Sequence, residues 1–210
     1  MKIHQIVKRD DKKVLITFEN QQEILLNKDI VYQYGLRKFD DLSDEQIEQL
    51  LKEEKKYNIK LKALSLLKRR THSRKELLIK LKRHFSEVEL IEECLSDLEQ
   101  KKIIDDRNFT ELFIQEKIRF KKWSKSKLKS ELYQRGIKKE IIEDCLSNLF
   151  DSNLEKQKAI ELANKKLKQI QSKTTDKKAI YAKLMMFLQS KGYDYELISE
   201  ILNHLLKTEE

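Results

Sequence analysis

The chain has 210 residues, 39 % hydrophobic and 39 % charged, a balance too apolar for wholesale disorder and too charged for a single large core. Proline is absent and glycine occurs only at Gly35, Gly136 and Gly192, which excludes a phosphate-cradling glycine loop and predicts mostly helix with short connections. A net charge of +9 and a pI of about 9.3 favour polyanionic partners, nucleic acid or acidic protein surfaces, without choosing between them.

Residues 1–42 read differently from the rest. Lys2 to Lys8, Val14 to Phe18 and Glu23 to Leu26 are short β-prone runs separated by polar turns, which predicts a hairpin or three-stranded meander. A sheet this small needs a partner surface to be stable. A short helix is expected around Ile30 to Tyr34, ending near Gly35. Ser43-Asp44-Glu45-Gln46 then opens a helix in the capping-box arrangement, with Ile47, Leu50 and Leu51 on one face. The polar stretch Lys52 to Lys56 contains no breaker, so the pattern leaves open whether this helix ends there. A second helix is read over Leu61, Leu64, Leu66 and Leu67, ending near Arg70.

From there the chain repeats itself. Ser73 to Leu98 aligns without a gap with Ser124 to Leu149 at an offset of 51, pairing Ser73 with Ser124, Leu77 with Leu128, Leu81 with Leu132 and Cys94 with Cys145. A third copy follows at an offset of 56, pairing Leu132 with Leu188, Gly136 with Gly192 and Leu146 with Leu202. A period of this size predicts stacked supersecondary units, and such arrays bind more often than they catalyse. Each unit reads as three helices with apolar residues at i, i+3 and i+4. Thr71 or Ser73, Asp106 or Asn108, and Asp176 are the expected N-caps, and Gly136 the left-handed C-cap. Phe109, Leu112, Phe113 and Ile118 are the expected apolar side of the second unit's first helix. The predicted fold is mostly α: tandem three-helix repeats in an elongated, curved array, with a small β-containing N-terminal segment. The expected divisions are 1–42 (the strands), 43–106 (a linker helix and the first repeat), 107–151 (the second) and 152–210 (the third).

Charge is segregated within each unit. Lys68, Arg69, Arg70, Arg74 and Lys75 lie on the first two helices of the first unit, and Lys117, Arg119, Lys121, Lys122, Lys125, Lys127 and Lys129 follow one another with no acid between them. The third helices carry the acids: Glu87, Glu89, Glu92, Glu93 and Asp97, then Glu140, Glu143 and Asp144. Stacking is expected to align these into one basic and one acidic surface, a pattern that solubility does not demand. The competing reading is solvated helix faces, with acids suiting helix N-termini.

No catalytic constellation emerges. His4, His72, His84 and His204 are scattered and none stands at metal-ligand spacing, so neither metal nor cofactor is expected. Asp105-Asp106 is the one acidic pair in a connector, and it reads as helix capping rather than a metal pair. Cys94 and Cys145 read as small buried core residues. Phe120, Trp123 and Tyr133 sit among cations, where aromatics can stack on bases of single strands. For Trp123, packing at the junction of two helices is the preferred reading. The first residues lack the apolar run of a secretory signal and no stretch reaches membrane-spanning length, so a cytoplasmic protein is expected, with a monomer as the simplest state.

The run Ala63-Leu64-Ser65-Leu66-Leu67-Lys68-Arg69-Arg70-Thr71-His72-Ser73-Arg74-Lys75-Glu76-Leu77, the junction Ile103-Ile104-Asp105-Asp106-Arg107-Asn108-Phe109, and Glu131-Leu132 through Arg135-Gly136-Ile137 together resemble the RecX family, regulators of the bacterial recombinase RecA. The resemblance covers residues from about 55 to 205. It departs at Trp123, where the family often has glycine, in the third unit, which matches only at packing positions, and in the first forty residues, outside the common core. It implies a non-enzymatic protein that binds the groove of the RecA filament on single-stranded DNA and modulates, mainly by inhibition, strand exchange, ATP hydrolysis and the SOS response in DNA repair. The alternative is a stand-alone basic nucleic-acid-binding helical module. Charge clustering makes Lys68, Arg69, Arg70, Arg74, Lys75, Arg119, Lys122, Lys125 and Lys127 the candidate DNA- or filament-binding residues.

Overall fold

A computed structural model describes residues 1–207. The chain divides into two compact units, one of Met1–Thr71 with Leu77–Ile103, the other of His72–Glu76 with Ile104 onward.

The first unit begins with an antiparallel meander, β1 (Ile3–Lys8), β2 (Lys13–Phe18) and β3 (Glu23–Asn27), with β2 in the centre. Ile16 pairs with Ile6 on one side and Ile24 on the other, and a bulge between Ile3 and Gln5 shifts the first pairing. The alternation of strand side chains puts Ile3, Ile16, Phe18, Ile24 and Leu26 on one face. That face is the apolar surface the small sheet needs to bury. It packs with Ile30 of α1 (Lys28–Gln33) and with Leu42, Ile47 and Leu50 around the start of α2 (Asp44–Leu67). Ser43 caps α2 in a complete capping box: its Oγ accepts from the Gln46 amide, and the Gln46 side chain accepts from the Ser43 amide.

The two helices read over 43–70 are a single helix of 24 residues. The polar stretch that obscured this contains Glu54, which is buried in the place of an apolar residue. Its carboxylate accepts from the Asn27 amide at 2.6 Å, from the Asn58 side chain at 2.9 Å and from Lys13 Nζ. A buried carboxylate survives because every contact compensates its lost hydration. The same contacts fasten the end of β3 to the middle of the helix. Further along, α2 packs on α4 (Val88–Gln100), whose stripe Leu90, Ile91, Cys94, Leu95 and Leu98 is buried. Between them in sequence lies α3 (Arg74–Leu81), with Leu77 and Leu81 fully buried.

The second unit holds two further three-helix repeats: α5 (Asp106–Glu116), α6 (Lys125–Gln134) and α7 (Lys139–Leu149), then α8 (Ser152–Gln171), α9 (Lys177–Ser190) and α10 (Tyr195–Lys207). The core of the first is Phe109, Phe113, Ile114, Leu128, Leu132, Ile137, Ile142, Cys145 and Leu146. Leu184, Leu188, Ile198 and Leu202 lead the core of the second, with Ala159 and Ala163 opposite. Two expectations for α5 are corrected. Its N-cap is Asp105, not Asp106 or Asn108; Asp105 Oδ1 accepts from the Arg107 and Asn108 amides, each at 2.9 Å. Leu112 is 45 % exposed, and the buried stripe runs instead through Phe109, Thr110, Phe113 and Ile114. Thr110 can be buried because its hydroxyl donates to the Asp106 carbonyl at 2.6 Å. Asp176 caps α9 as expected, accepting from the Lys178 amide at 3.0 Å. Cys94 and Cys145 are buried free thiols, both pushed up by desolvation.

Candidate functional site

Within the second unit a similar joint occurs twice, once between the segment His72–Glu76 and the second repeat and once between the second and third repeats. The serine that caps the second helix of one repeat meets the left-handed glycine that ends the second helix of the next. Ser73 Oγ accepts from the Glu76 amide and donates to the Arg135 carbonyl at 2.8 Å, beside Gly136. Ser124 Oγ accepts from the Lys127 amide, while the Ser124 amide donates to the Lys191 carbonyl, beside Gly192. Only glycine fits these places. A Cβ on Gly136 would stand 2.7 Å from Lys75 Cβ, and one on Gly192 2.5 Å from Lys127 Cβ. A carboxylate completes each joint: Asp106 Oδ1 accepts from the Arg74 amide at 2.9 Å, and Glu155 Oε1 from the Lys125 amide at 3.0 Å. Both are first-turn amides of a helix, where negative charge is favoured. Asp105 and Asp106 are thus each engaged as helix-terminal acceptors. Among the described residues no group of three or more His, Cys, Asp or Glu side chains could hold a metal ion.

The charge segregation has an intramolecular use that sequence alone did not disclose. In each repeat a cation of the first helix pairs with an acid of the third: Lys60 with Asp97, Arg107 with Asp144, Lys156 with Glu200. Lys56–Glu93 and Lys129–Glu143 add to this pattern. Lys56 holds Glu93, and Lys129 holds Glu143, below the usual carboxylate range; Asp97 is held low chiefly by Lys101 of its own helix end, with Lys60 adding to it. The third helices therefore do not present an unpaired acidic surface; part of their charge is spent on their own repeat. Exposed to solvent, each pair adds little to stability.

The candidate cations fall into two classes. Lys68, Arg69, Arg70, Lys75, Arg119 and Lys125 are exposed, whereas Arg74, Lys122 and Lys127 are partly buried. Lys68 and Arg69 follow the end of α2, and Arg70 Nη1 donates to the Thr71 carbonyl. Arg74 and Lys75 belong to the joint, Arg74 through its amide and Lys75 through its stem against Gly136. Lys122 Nζ pairs with Glu161, and the Lys122 carbonyl accepts from Tyr193 Oη at 2.8 Å. Lys127 Nζ lies 3.4 Å from Glu131 and 5.7 Å from the Trp123 ring. Burial alone would raise Glu131, but Arg135 and Lys127 outweigh it and hold the carboxyl low. Lys122 and Lys127 are thus engaged in packing the protein itself. Arg119 and Lys125 are left to solvent.

Trp123 packs, as its position predicted. Its ring is 6.0 Å from Phe113, which stacks on Phe109 at 5.9 Å. Lys117 Nζ sits 5.0 Å from the Phe113 ring and 5.7 Å from Trp123, and Arg135 lies over Phe113 at 4.7 Å. Sequence reasoning missed the backbone that makes this possible. Lys117–Lys121 is a π-helical turn, and Lys122 follows in the left-handed region at φ 49°. The turn seats Trp123 against Phe113 and leaves Phe120 68 % exposed. A run of cations without an acid was the only signal, and it does not encode a widened turn.

Family models for "RecX, second three-helix domain" and "RecX, third three-helix domain" match residues 105–146 and 155–202. The regulatory protein RecX of Clostridioides difficile (strain 630) is 32 % identical over 203 residues, spanning 97 % of this chain and 94 % of its own length. That of Clostridium beijerinckii is 30 % identical over 202 residues, spanning 96 % and 93 %. A crystal structure of regulatory protein RecX shares the fold, with a TM-score of 0.71 at 20 % identity over 96 % of this chain and 98 % of the other. A crystal structure of RecX from Lactobacillus salivarius has a TM-score of 0.56 at 25 % identity, covering 71 % and 96 %.

Proposed function

The chain belongs to the RecX family, and from that premise we propose that it is a regulatory protein of the RecA recombinase, acting in the cytoplasm. On this reading it binds the RecA filament on single-stranded DNA as a monomer and mainly inhibits recombinase activity in DNA repair and the SOS response. The observation that carries the reading is the match to regulatory relatives along almost the whole chain. The geometry is consistent with it. The joint at Ser124 and Gly192 ties the two repeats of the second unit together, and Lys68, Arg69, Arg119 and Lys125 stand exposed for a polyanion or an acidic protein surface.

The physical requirement is modest. A regulator that binds a non-productive filament state tenfold more tightly than the productive one shifts their balance by about 1.4 kcal/mol, and no covalent chemistry is involved. The test is ATP hydrolysis by RecA on single-stranded DNA with this protein titrated in. Inhibition at a small fraction of the recombinase concentration supports action on filaments. Inhibition only when the protein is abundant enough to coat the strand refutes it in favour of a stand-alone nucleic-acid-binding module. Lys68→Glu combined with Arg69→Glu should abolish inhibition with helicity intact, since neither side chain is packed.

A further inference from the structure

We propose that the π-helical corner at Lys117–Lys121 is a single-strand contact in which Phe120 stacks on an unpaired base while Arg119 and Lys121 take the flanking phosphates. This rests on the reading above and deepens it, by naming a place where the chain touches DNA directly rather than through the filament.

Four observations converge on the corner. The first is backbone: π-helical turns inside helical segments are rare and recur at functional sites. The second is the aromatic it displays. Phe109, Phe113 and Trp123 are packed in or against the core of their repeat, while Phe120 is 68 % exposed. Leaving a phenyl ring in water forgoes the burial that Phe109, Phe113 and Trp123 obtain, and Phe120 is more exposed than Tyr133, at 40 %, in the same repeat. The third is its setting. The Arg119 guanidinium lies over the Phe120 ring at 5.2 Å, and Arg119 and Lys121 are both exposed. An aromatic flanked by cations is the composition that binds single strands, by stacking on bases and neutralising phosphates.

The fourth concerns the acids. None lies between Lys117 and Lys129 in sequence. The carboxylates that approach the corner are already taken: Glu116 by Lys117, Glu161 by Lys122, and Glu155 by the Lys125 amide. The Lys122 contact holds Glu161 below the usual carboxylate range. Among the described residues no carboxylate pairs with Arg119 or Lys121. The corner therefore favours a phosphodiester chain with accessible base faces. A duplex keeps its bases stacked on each other and offers Phe120 nothing.

The experiment is fluorescence anisotropy of a labelled oligothymidylate at low salt, without recombinase, using the full chain and its Phe120→Ala, Phe120→Leu and Phe120→Trp variants. Circular dichroism should show unchanged helicity, because the ring is exposed. Phe120→Ala and Phe120→Leu should bind roughly tenfold more weakly, and Phe120→Trp within about twofold of the parent, as stacking predicts. Binding to a duplex of the same length should be unaffected by all three. Equal affinity of Phe120→Ala and the parent overturns the proposal. So does equal loss on duplex, full activity of Phe120→Leu, or a parent chain that fails to bind the single strand. Recombinase ATP hydrolysis separates the two readings. If the parent leaves hydrolysis unchanged while Phe120→Ala still loses the single strand, the filament reading fails and the stacking stands. If inhibition persists and Phe120→Ala binds normally, the stacking fails and the filament reading stands.

Discussion

Replacing Gly192 by alanine tests whether the repeats are held by backbone approach or merely by side-chain packing. The chain supplies its own control. Gly35, at φ +62°, has nothing within 4 Å of where a Cβ would stand. Gly192, at φ +88°, would place its Cβ 2.5 Å from Lys127 Cβ, 2.6 Å from Ser124 Oγ and 3.0 Å from the Lys127 amide nitrogen. At both positions alanine carries the left-handed penalty of about 1–2 kcal/mol, offset by about 0.4–1 kcal/mol from the stiffer unfolded chain. Gly35→Ala should therefore cost about 1 kcal/mol or less. At Gly192 the neighbours are a Cβ and a backbone amide of α6, neither of which can swing aside, which adds an overpacking cost of about 1–3 kcal/mol. The total is about 1–5 kcal/mol. With a urea dependence of about 2 kcal/mol/M, that lowers the unfolding midpoint by about 0.5–2.5 M. Far-UV circular dichroism follows both variants, and Trp123, the single tryptophan, reports on the joint itself because it precedes Ser124. Gly136→Ala, whose Cβ would meet Lys75 Cβ at 2.7 Å, should behave like Gly192→Ala. Equal midpoint shifts in Gly35→Ala and Gly192→Ala would refute the close-approach argument.

Glu54→Ala should cost about 2–4 kcal/mol in urea unfolding of the first unit, since it strands the buried Asn27 amide and removes the partner of Lys13; a loss within about 0.5 kcal/mol would mean water replaces the carboxylate. The Lys55 ammonium, with the Glu87 amide and the Ser86 hydroxyl, holds Glu87 down at about 2. Because the folded value lies below the usual 4.5, this stabilisation is complete above about pH 4.5 and is lost as pH falls toward 2. Solvent at the pair limits it to about 1 kcal/mol, so Glu87→Gln should lose that much at pH 6 and nothing relative to the parent at pH 2, by urea midpoints at each pH. Glu155→Ala should show two opposite signs: about 1 kcal/mol less stability, from losing the acceptor of the Lys125 amide, and tighter binding of oligothymidylate with a steeper salt dependence, from removing a carboxylate beside the basic corner.

What the sequence disclosed was what local chemistry decides. The Ser43 capping box, the Asp176 cap, the left-handed Gly136 and the three strands each depend on a few neighbouring residues, and each stands where the pattern placed it. The continuity of α2 was not legible, because Glu54 looks like a break in an apolar stripe until Lys13, 41 residues away, arrives to pair with it. Leu112 misled for a similar reason. Thr110 takes its place in the core by a hydrogen bond to its own helix, which hydrophobic periodicity does not register. Of the candidate site, the sequence showed where cations cluster but not which of them face acids. Lys60, Arg107 and Lys156 look as available as Arg119 in one dimension, yet each is paired across its repeat.

The joints also bear on how the chain can touch a polyanion. A helix N-terminus is a ready phosphate site, because its first amides have no partner within the helix. At α3 and α6 two of these amides each are committed: Asp106 takes the Arg74 amide, Glu155 the Lys125 amide, and Ser73 and Ser124 take the amides three residues on. One acceptor at each of these two N-termini, Asp106 or Glu155, comes from the following repeat, so the joint occupies a backbone amide that the helix would otherwise display. Side-chain cations not already spent within the fold include Arg119, Lys121 and Lys125, around Phe120. Side-chain cations on an exposed corner read phosphate charge rather than groove geometry, which suits a single strand held along a filament better than a duplex gripped by a recognition helix.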